Sequence, residues 1–387
     1  MKDAVIVSAV RSAVAKGKRD GSLAAVHPTE LSACVMRGAI EAAGIEAGMV
    51  EDIFWGCAMP EASQGLNVSR LSSLRAGIPV EVPSATINRF CSSGLQTVAL
   101  AAQEIMVGNA DVVMAGGVEM MSQVPMSGYH TRLDPELTES YIGMGFTAER
   151  VAERWKVSRE DQDTWALNSQ QKAARAWQEK RFAEQIVPIP TLKVTWKGAS
   201  REECPATFDR DELLRPETTI EGLAKLKPAF KVNGTVTAGN ASPYSDGAAA
   251  LLLMSGERAK SLGLEPLARF ISFATAGVEP DVMGIAPIKA VPKALKRAGL
   301  SMKDVKLIEF NEAFASQVVA VVRDLGMPED LVNVNGGAIA LGHPLGATGS
   351  KLTTQLVHEL GRRGGGVGLV TMCIGGGMGA AGLFEVY

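Results

Sequence analysis

Short apolar runs along the chain predict buried β-strands that alternate with helices. Residues 4–8, 111–115 and 368–372 are apolar runs of strand length. The segment 92–107 is apolar nearly all round, which is typical of a helix buried between layers. Helices that alternate with fully apolar strands indicate parallel sheets covered on both faces, so we predict an α/β protein. The glycine pair 116–117 is predicted to be the turn after the second strand.

The pattern repeats at an offset of 255 residues. Residues 39–45, AIEAAGI, align with residues 294–300, ALKRAGL, and both copies predict a helix that ends in glycine before a loop and a strand. At the same offset Gly94 aligns with Gly349. Because the matches occur in the same order, they indicate an internal duplication.

The duplication predicts three parts. Residues 1–120 form the first copy and residues 249–387 the second. Residues 121–248 have a different pattern. Residues 158–178 combine a helix cap with a polar, charged helix that we expect on the surface, and residues 188–228 contain prolines and short strands. We therefore expect a loop domain, inserted where the two copies meet.

Composition narrows the class of protein. The chain has 387 residues, of which 46% are hydrophobic and 21% charged, as in a globular protein too long for one core. A net charge of −3 without a basic stripe argues against nucleic acid or an anionic membrane as partner. No apolar stretch approaches the ~18 residues of a membrane span. Five cysteines without a C-x-x-C pair suggest neither disulfides nor a metal site, so we expect a cytoplasmic protein.

Glycines concentrate near the carboxyl terminus, which makes that region the first candidate for a site. Of the 41 glycines, 15 lie within residues 334–387. Residues 377–382 satisfy G-x-G-x-x-G, but only five residues follow, too few for the β-α-β unit of a dinucleotide site. The chain also lacks a phosphate-binding loop and the G-x-S-x-G motif of hydrolases.

Cys91 is a candidate nucleophile at the start of the buried helix, within residues 87–95, INRFCSSGL. The positive end of a helix can lower a thiol pKa from ~8.5 to roughly 3.5 to 7.5. The alternative is that Cys91 is a small buried residue at a helix start.

His343 lies among the glycines of residues 333–349, NVNGGAIALGHPLGATG. We expect the backbone, rather than surrounding side chains, to hold this imidazole. Histidine is a natural base for a thiol and a donor to an oxyanion. The other histidines, His27, His130 and His358, lack such a setting.

Cys373 ends the predicted strand 368–372 and precedes a glycine turn. Its sulfur can therefore project into a cleft, while the N–H groups of the turn stay free to bind developing negative charge.

These three segments resemble the three signature regions of the thiolase family. Residues 311–315, NEAFA, and 234–242, GTVTAGNAS, resemble further family motifs, and the match covers essentially the whole chain. Residues 215–230, RPETTIEGLAKLKPAF, and 91–94, CSSG, resemble the degradative 3-ketoacyl-CoA branch. The resemblance implies the thiolase fold, in which two duplicated βαβαβαββ halves form a five-layered αβαβα core with an inserted loop domain.

The resemblance also implies roles for five residues. Cys91 would accept the acyl group, His343 would activate it, and Cys373 would act as the second acid and base. One anion site would consist of His343 and a water held by Asn311. The other would consist of the backbone N–H groups of Cys91 and Gly375.

Coenzyme A is the co-substrate that the resemblance implies, with no permanently bound cofactor. The pantetheine channel would be lined by Ser242, Phe230, Ala313, Phe314 and Met144. As an alternative, the two phenylalanines are core aromatics and Ser242 an ordinary turn residue. Short-chain biosynthetic thiolases usually carry histidine where this chain has Gly143. This difference weakens the hypothesis that the chain acts only on acetoacetyl-CoA.

The expected function is that of a 3-ketoacyl-CoA thiolase of fatty-acid β-oxidation. An acetoacetyl-CoA thiolase is the nearest alternative, and a non-catalytic acyl-CoA-binding or scaffold subunit is an alternative of another class. The retained Cys91, His343 and Cys373 argue against the non-catalytic subunit. The family implies a homodimer or homotetramer, and the sequence is silent on a hydratase/dehydrogenase partner.

Overall fold

The computed structural model describes residues 2–125, 133–197 and 200–387. His130 lies outside the described residues. The strands are β1 Ala4–Arg11, β2 Ala15–Lys16, β3 Asp52–Gly56, β4 Ser84–Ile87, β5 Val112–Met120, β6 Ile189–Lys197, β7 Ser200–Phe208, β8 Ser245–Ser255, β9 Ala268–Gly277, β10 Val305–Phe310, β11 Gly366–Ile374 and β12 Met378–Val386. The α-helices are α1 Pro28–Ala43, α2 Val68–Ala76, α3 Ser93–Val107, α4 Met144–Arg154, α5 Arg159–Gln178, α6 Ile220–Ala224, α7 Gly256–Ser261, α8 Pro287–Ala298, α9 Ala315–Leu325, α10 Ala338–Leu341 and α11 Leu345–Arg362.

The main sheet consists of two halves in which four strands follow the same order, and β4 is an additional strand at the edge of the first half. The first half runs β4-β3-β5-β8-β1 and the second runs β10-β11-β12-β9. β3 is parallel to β5 as β10 is to β11, and the later pairs of both halves are antiparallel. β1 and β9 join the halves through a short pairing of Val5 and Ile6 with Arg269 and Ala268. Two halves of one topology are what an internal duplication produces.

Side chains on each half-sheet point alternately into two apolar layers. On β8, Ala250, Leu252 and Met254 pack with α1, whereas Leu251 and Leu253 pack with α3 and α11. β11 divides in the same way between the middle layer and the layer of α8 and α9. Because β-strand side chains alternate between faces, each half-sheet is covered on both sides. The five-layered αβαβα arrangement is therefore confirmed, and the helix predicted at 92–107 lies in its middle layer.

The turn predicted at Gly116-Gly117 is wrong, because β5 continues through both glycines to Met120. A Cβ atom on Gly116 would overlap the Trp55 ring, and one on Gly117 would overlap the Gly346 carbonyl oxygen. Both glycines therefore allow close contact of neighbouring segments inside a strand, and neither reverses the chain.

The predicted cap of α5 is confirmed, but the expected exposure of that helix is wrong for one face. The Ser158 hydroxyl accepts from the Asp161 N–H at 3.1 Å, and the Asp161 carboxylate accepts from the Ser158 N–H at 3.0 Å. On the buried face, Trp165 and Ser169 donate to the Glu312 carboxylate at 3.0 and 2.7 Å. Polar residues can be buried there because each finds a hydrogen-bond partner.

Helices α3 and α11 begin in direct backbone contact in the middle layer. A Cβ atom on Gly94 would lie 2.7 Å from the backbone nitrogen of Ser350, and one on Gly349 would overlap the backbone of Leu95. Gly94 and Gly349 are the two glycines that the repeat aligns. The segments just before the two helices are consequently held side by side.

Gly349→Ala is expected to destabilise the protein by about 3 kcal/mol or more, because its methyl group would collide with backbone that cannot move without separating the helices. Gly48→Ala is the control, because its Cβ would make an ordinary contact of 3.7 Å with the Pro79 ring. The control should change stability by less than about 0.5 kcal/mol. Guanidinium unfolding measures both, and equal midpoints for the two variants would contradict the close crossing.

Candidate active site

Cys91 lies in a tight turn immediately before α3. Phe90 has a positive φ of 42°, and its N–H donates to the Asn88 side chain at 2.8 Å. The Ser93 hydroxyl donates to the Phe90 carbonyl at 2.7 Å and accepts from the Arg89 N–H at 2.9 Å. These bonds hold a backbone conformation that a non-glycine residue rarely adopts, so the position of the Cys91 sulfur is closely defined.

Burial raises the pKa of the Cys91 thiol to about 11. The backbone N–H groups of Gly375 and of Cys91 itself bond to the sulfur and oppose this rise, but burial prevails. The prediction that the helix start lowers this pKa is therefore wrong, because sequence position does not reveal how completely the sulfur is removed from water. Cys91 is a neutral thiol near neutral pH and needs a base before it can attack.

His343 is buried and held by three side chains, so the prediction that backbone alone holds it is wrong. The backbone N–H of His343 donates to the Ser245 hydroxyl at 2.9 Å. Its Nδ1 lies 2.6 Å from the Thr348 hydroxyl, which itself donates to the Pro344 carbonyl at 2.9 Å. Because that hydroxyl has one proton, it accepts from Nδ1–H, and Nε2 keeps a lone pair. The Asn311 amide nitrogen lies 3.2 Å from Nε2.

Burial, and secondarily the positive charge of Lys351, lowers the pKa of His343 to about 3. The imidazole is thus neutral near neutral pH and can accept a proton at Nε2. The side-chain oxygen of Asn311 is buried and has no hydrogen-bond partner within the described residues. A buried amide oxygen of this kind is a natural acceptor for an ordered water.

Cys373 lies on β11, fully buried, and close enough to Cys91 for the two thiols to interact electrostatically. Burial, together with the neighbouring Cys91, raises the Cys373 pKa well above its ordinary value. Cys373 shares one apolar cluster with Ala313, Phe314 and Met144. The structure therefore brings the second thiol together with three residues predicted to line the CoA channel.

The remaining predicted channel residues adjoin this cluster. Ser242 donates to the Ala313 carbonyl through its N–H at 2.9 Å and its hydroxyl at 3.1 Å. Phe230, which is 37% exposed, packs edge-on against Phe314 with 6.1 Å between ring centroids. The partly exposed Phe230 is thus linked, through the buried Phe314, to the cluster that contains Cys373.

Glu119 is a site residue that sequence reasoning missed. Its buried carboxylate accepts from the N–H groups of Ala58 and Gly346, each at 2.8 Å, from the Met59 N–H at 3.2 Å and from the Gln64 amide at 2.8 Å. It thereby ties the start of α11 to the loop after β3. The available signal was a charged residue within an otherwise apolar strand.

The other described histidines have structural partners. His27 caps α1 by accepting from the Thr29 N–H at 3.3 Å, and Nε2 of His358 lies 2.9 Å from the Ala9 carbonyl oxygen. Among the described residues no group of three or more His, Cys, Asp or Glu could hold a metal ion. No helix in the same part of the chain is long and apolar enough to cross a membrane.

Two buried thiols, a neutral imidazole and backbone N–H groups at the Cys91 sulfur define a site for acyl transfer through cysteine. Family models agree with this geometry: the thiolase N-terminal domain matches residues 4–257 and the thiolase C-terminal domain matches residues 264–386. The chain belongs to the thiolase family, whose members are acyltransferases.

The relatives that match over nearly their full length are named either 3-ketoacyl-CoA thiolase or acetyl-CoA acetyltransferase. The chain is 54% identical to the 3-ketoacyl-CoA thiolase of Bacillus subtilis, with all of both chains covered. It is 48% identical to the acetyl-CoA acetyltransferase of Pseudomonas aeruginosa, with 98% of each covered. The crystal structure of human mitochondrial 3-ketoacyl-CoA thiolase matches with a TM-score of 0.89 at 40% identity, covering 100% of this chain and 99% of that one.

The raised pKa of Cys91 predicts an alkaline dependence of its alkylation. Thiolate content should increase up to the pKa of about 11, so the iodoacetamide rate at Cys91 should keep rising from about pH 8 to about pH 10. Free cysteine, with a pKa of ~8.5, levels off within that range and serves as the reference. Peptide mass spectrometry gives the rate at this one site, and a plateau below about pH 9 would contradict the assignment.

Proposed function

We propose that the chain catalyses thiolytic cleavage of 3-oxoacyl-CoA by CoA, releasing acetyl-CoA and an acyl-CoA two carbons shorter through an acyl group on Cys91. The observation that carries this proposal is the pair of buried thiols, Cys91 and Cys373, one of which accepts a bond from the Gly375 N–H. One thiol can hold the acyl group while the other exchanges protons with the departing carbon.

In the first half-reaction His343 takes the Cys91 proton at Nε2, and the sulfur attacks the 3-keto carbon of the substrate. The N–H groups of Cys91 and Gly375 stabilise the alkoxide that forms. When the C2–C3 bond breaks, its electron pair goes to C2 as an enolate, and the Cys373 thiol supplies the proton that completes acetyl-CoA. The thioester oxygen of the enolate lies against His343 and a water held by Asn311.

In the second half-reaction the Cys373 thiolate takes the proton of an incoming CoA thiol. The CoA sulfur attacks the acyl carbon on Cys91, and the same two N–H groups stabilise the tetrahedral oxyanion. Collapse expels the Cys91 sulfur, which recovers its proton from His343. Both residues return to their neutral resting forms, and the chemistry requires no cofactor besides CoA.

The pantetheine arm of CoA is proposed to follow the surface from Phe230 past Phe314 and Ala313 to Cys373. Ser242 supports this path through its two bonds to the Ala313 carbonyl. Met144, Phe230 and Ser242 come from the proposed loop domain, residues 121–248. The proposed boundary between residues 248 and 249 falls inside β8, which belongs to the first half of the sheet, so the first copy also includes residues 245–255. The exposed ring of Phe230, packed against the buried ring of Phe314, favours an apolar ligand.

The second candidate is acetoacetyl-CoA thiolysis or its reverse, the Claisen condensation of two acetyl-CoA molecules. It is favoured by the Pseudomonas aeruginosa relative, which is named acetyl-CoA acetyltransferase. The identity of 54% to a 3-ketoacyl-CoA thiolase, and Gly143 in place of histidine, favour longer substrates. The intact thiols and imidazole argue against a third possibility, an acyl-CoA-binding subunit without activity.

We also propose that the chain acts in fatty-acid β-oxidation in the cytoplasm. The name of the Bacillus subtilis relative supports the role, and five free cysteines are typical of a reducing compartment.

A thiolysis assay across 3-oxoacyl-CoA chain lengths tests the function. Turnover should extend beyond the four-carbon substrate, and acyl-CoA should label Cys91 covalently. Cys91→Ala should lower kcat by at least about 10³-fold and abolish labelling, because it removes the sulfur that is proposed to accept the acyl group. Cys204→Ala, which removes an exposed thiol, is the matched control and should behave as wild type.

Peptide mapping decides among the alternatives. Acyl groups on another residue would contradict the assignment of the nucleophile, and turnover confined to four carbons would favour acetoacetyl-CoA. Binding of acyl-CoA without turnover or labelling would favour the non-catalytic subunit.

A homodimer or homotetramer is proposed on the basis of the free edge of the sheet. Within the described residues β4 pairs only with β3. Apolar side chains beside it are exposed, including Leu66, Leu74 and Val80 at 91%, 42% and 66%. An unpaired edge bordered by exposed apolar residues is a surface that a second copy can cover.

Light scattering should give a mass at least about twice the 40.7 kDa of one chain. The variant Leu74→Glu/Val80→Glu should shift the protein toward the monomer, because charge would be buried in the interface. Val107→Glu, at another exposed apolar position, is the control and should leave the mass unchanged. A monomeric wild type would contradict the oligomer, and an unchanged mass for the double variant would contradict this interface.

A further inference from the structure

A row of buried polar residues follows one face of α11 behind His343. Lys351, Gln355 and Glu359 are spaced four residues apart, so they lie on the same side of the helix. Glu309 on β10 and Arg11 on β1 are buried next to Lys351 and interact with it electrostatically. Fully buried charges are costly and are normally paired, so this row needs an explanation.

Lys351 has one hydrogen bond within the described residues, to the Gly342 carbonyl at 3.3 Å. Both carboxylate oxygens of Glu309 and both polar atoms of the Gln355 amide lack a partner in that part of the chain. Lys351 therefore has donors without partners, and the nearby carboxyl group of Glu309 has oxygens without partners. Ordered water is the ligand that satisfies such separated buried groups.

Gly342 is the residue directly before His343 and has a positive φ of 86°. Lys351 thus holds the carbonyl on one side of His343, while Ser245 accepts the N–H on the other at 2.9 Å. Because Gly342 has a conformation open mainly to glycine, the backbone here has few constraints of its own. The Lys351 contact is one of the bonds that fix the direction of the imidazole.

We propose that Lys351 is a positioning residue for His343, acting through the Gly342 carbonyl, with bridging water linking its remaining donors to Glu309. This inference rests on the proposed role of His343 as base for Cys91. Of the acidic groups near Lys351, Glu309 is the one whose oxygens lack partners within the described residues. Burial raises the pKa of Glu309 to about 8, so its carboxyl group is mainly protonated near neutral pH. Arg11 and Asp211 form a closed pair with bonds of 2.8 and 3.0 Å.

Glu312, the other acidic group near Lys351, already has hydrogen-bond partners. It accepts hydrogen bonds from the side chains of Trp165, Ser169 and Asn333 and from the Ile339 N–H. Glu309 is therefore the one carboxylate among these neighbours whose oxygens remain available to Lys351 within the described residues.

The charge of Lys351 has a second effect on the base. Burial lowers the pKa of Lys351 to about 8, so the group is still mainly cationic at neutral pH. Its positive charge adds to burial in lowering the pKa of His343. Removal of that charge must raise the His343 pKa, so the acid limb of the activity profile must move to higher pH.

The test compares Lys351→Met with Lys351→Arg in thiolysis assays over a range of pH. Methionine keeps the length but removes charge and donors, so kcat should fall at least about tenfold, with KM for both substrates within about twofold of wild type. The acid limb should move to higher pH. Arginine keeps a charged donor and should restore kcat to within about threefold of wild type.

Lys172→Met is the matched control, because Lys172 also donates to a backbone carbonyl, that of Val332 at 3.0 Å, but on α5. It should retain wild-type kcat and pH dependence. If Lys351→Met does not fold, Lys351→Gln replaces it. It also removes the charge, so kcat should fall at unchanged KM and the acid limb should move to higher pH.

Acyl labelling of Cys91 in the same samples separates the two proposals. Wild-type protein that is neither labelled nor active would overturn the proposed function. If wild-type protein is labelled and active, and Lys351→Met has an unchanged kcat and pH profile, only the proposed role of Lys351 is overturned. A lower unfolding temperature without a change in kcat would show that the lysine is merely structural and would also overturn it.

Discussion

The backbone contact between the first turns of α3 and α11 is the constraint on which the site depends. Gly94 and Gly349 leave no side chain between the two helices. Cys91 precedes one helix and His343 precedes the other, so the crossing determines where the proposed nucleophile and base lie. Glu119 reinforces it by binding the Gly346 N–H from the neighbouring strand. The duplicated fold thus places two equivalent helix starts together but gives them different chemistry.

Exclusion of water then sets the resting charge of the site. Burial raises the pKa values of Cys91 and Cys373 and lowers that of His343, so all three groups are neutral before substrate arrives. Neutral groups avoid the cost of isolated buried charge. The proposed chemistry moves protons among them only while negative charge develops on the substrate, where backbone N–H groups stabilise it. Fixed donors are most effective in such a dry setting.

The apolar pattern predicted the layered α/β core, because buried strands and helices leave a direct signature in sequence. The duplication was visible for the same reason. Features that depend on three-dimensional neighbours were mispredicted or missed: the glycines of β5, the buried face of α5 and the direction of the Cys91 pKa shift. Thr348 and Glu119 were also missed, because single polar residues gain meaning only from the groups that they contact. The motif resemblance named Cys91, Gly375 and Cys373, which the structure brings together. It also named Asn311 and His343, whose side chains are in contact.

A crystal structure of the protein after incubation with acetyl-CoA tests the central claim most directly. The account predicts a thioester on the Cys91 sulfur, with its carbonyl oxygen within hydrogen-bond distance of the Cys91 and Gly375 N–H groups. Cys373 should lie beside the acyl group, unmodified. An acyl group on Cys373, or a carbonyl oxygen directed away from those two N–H groups, would contradict the account.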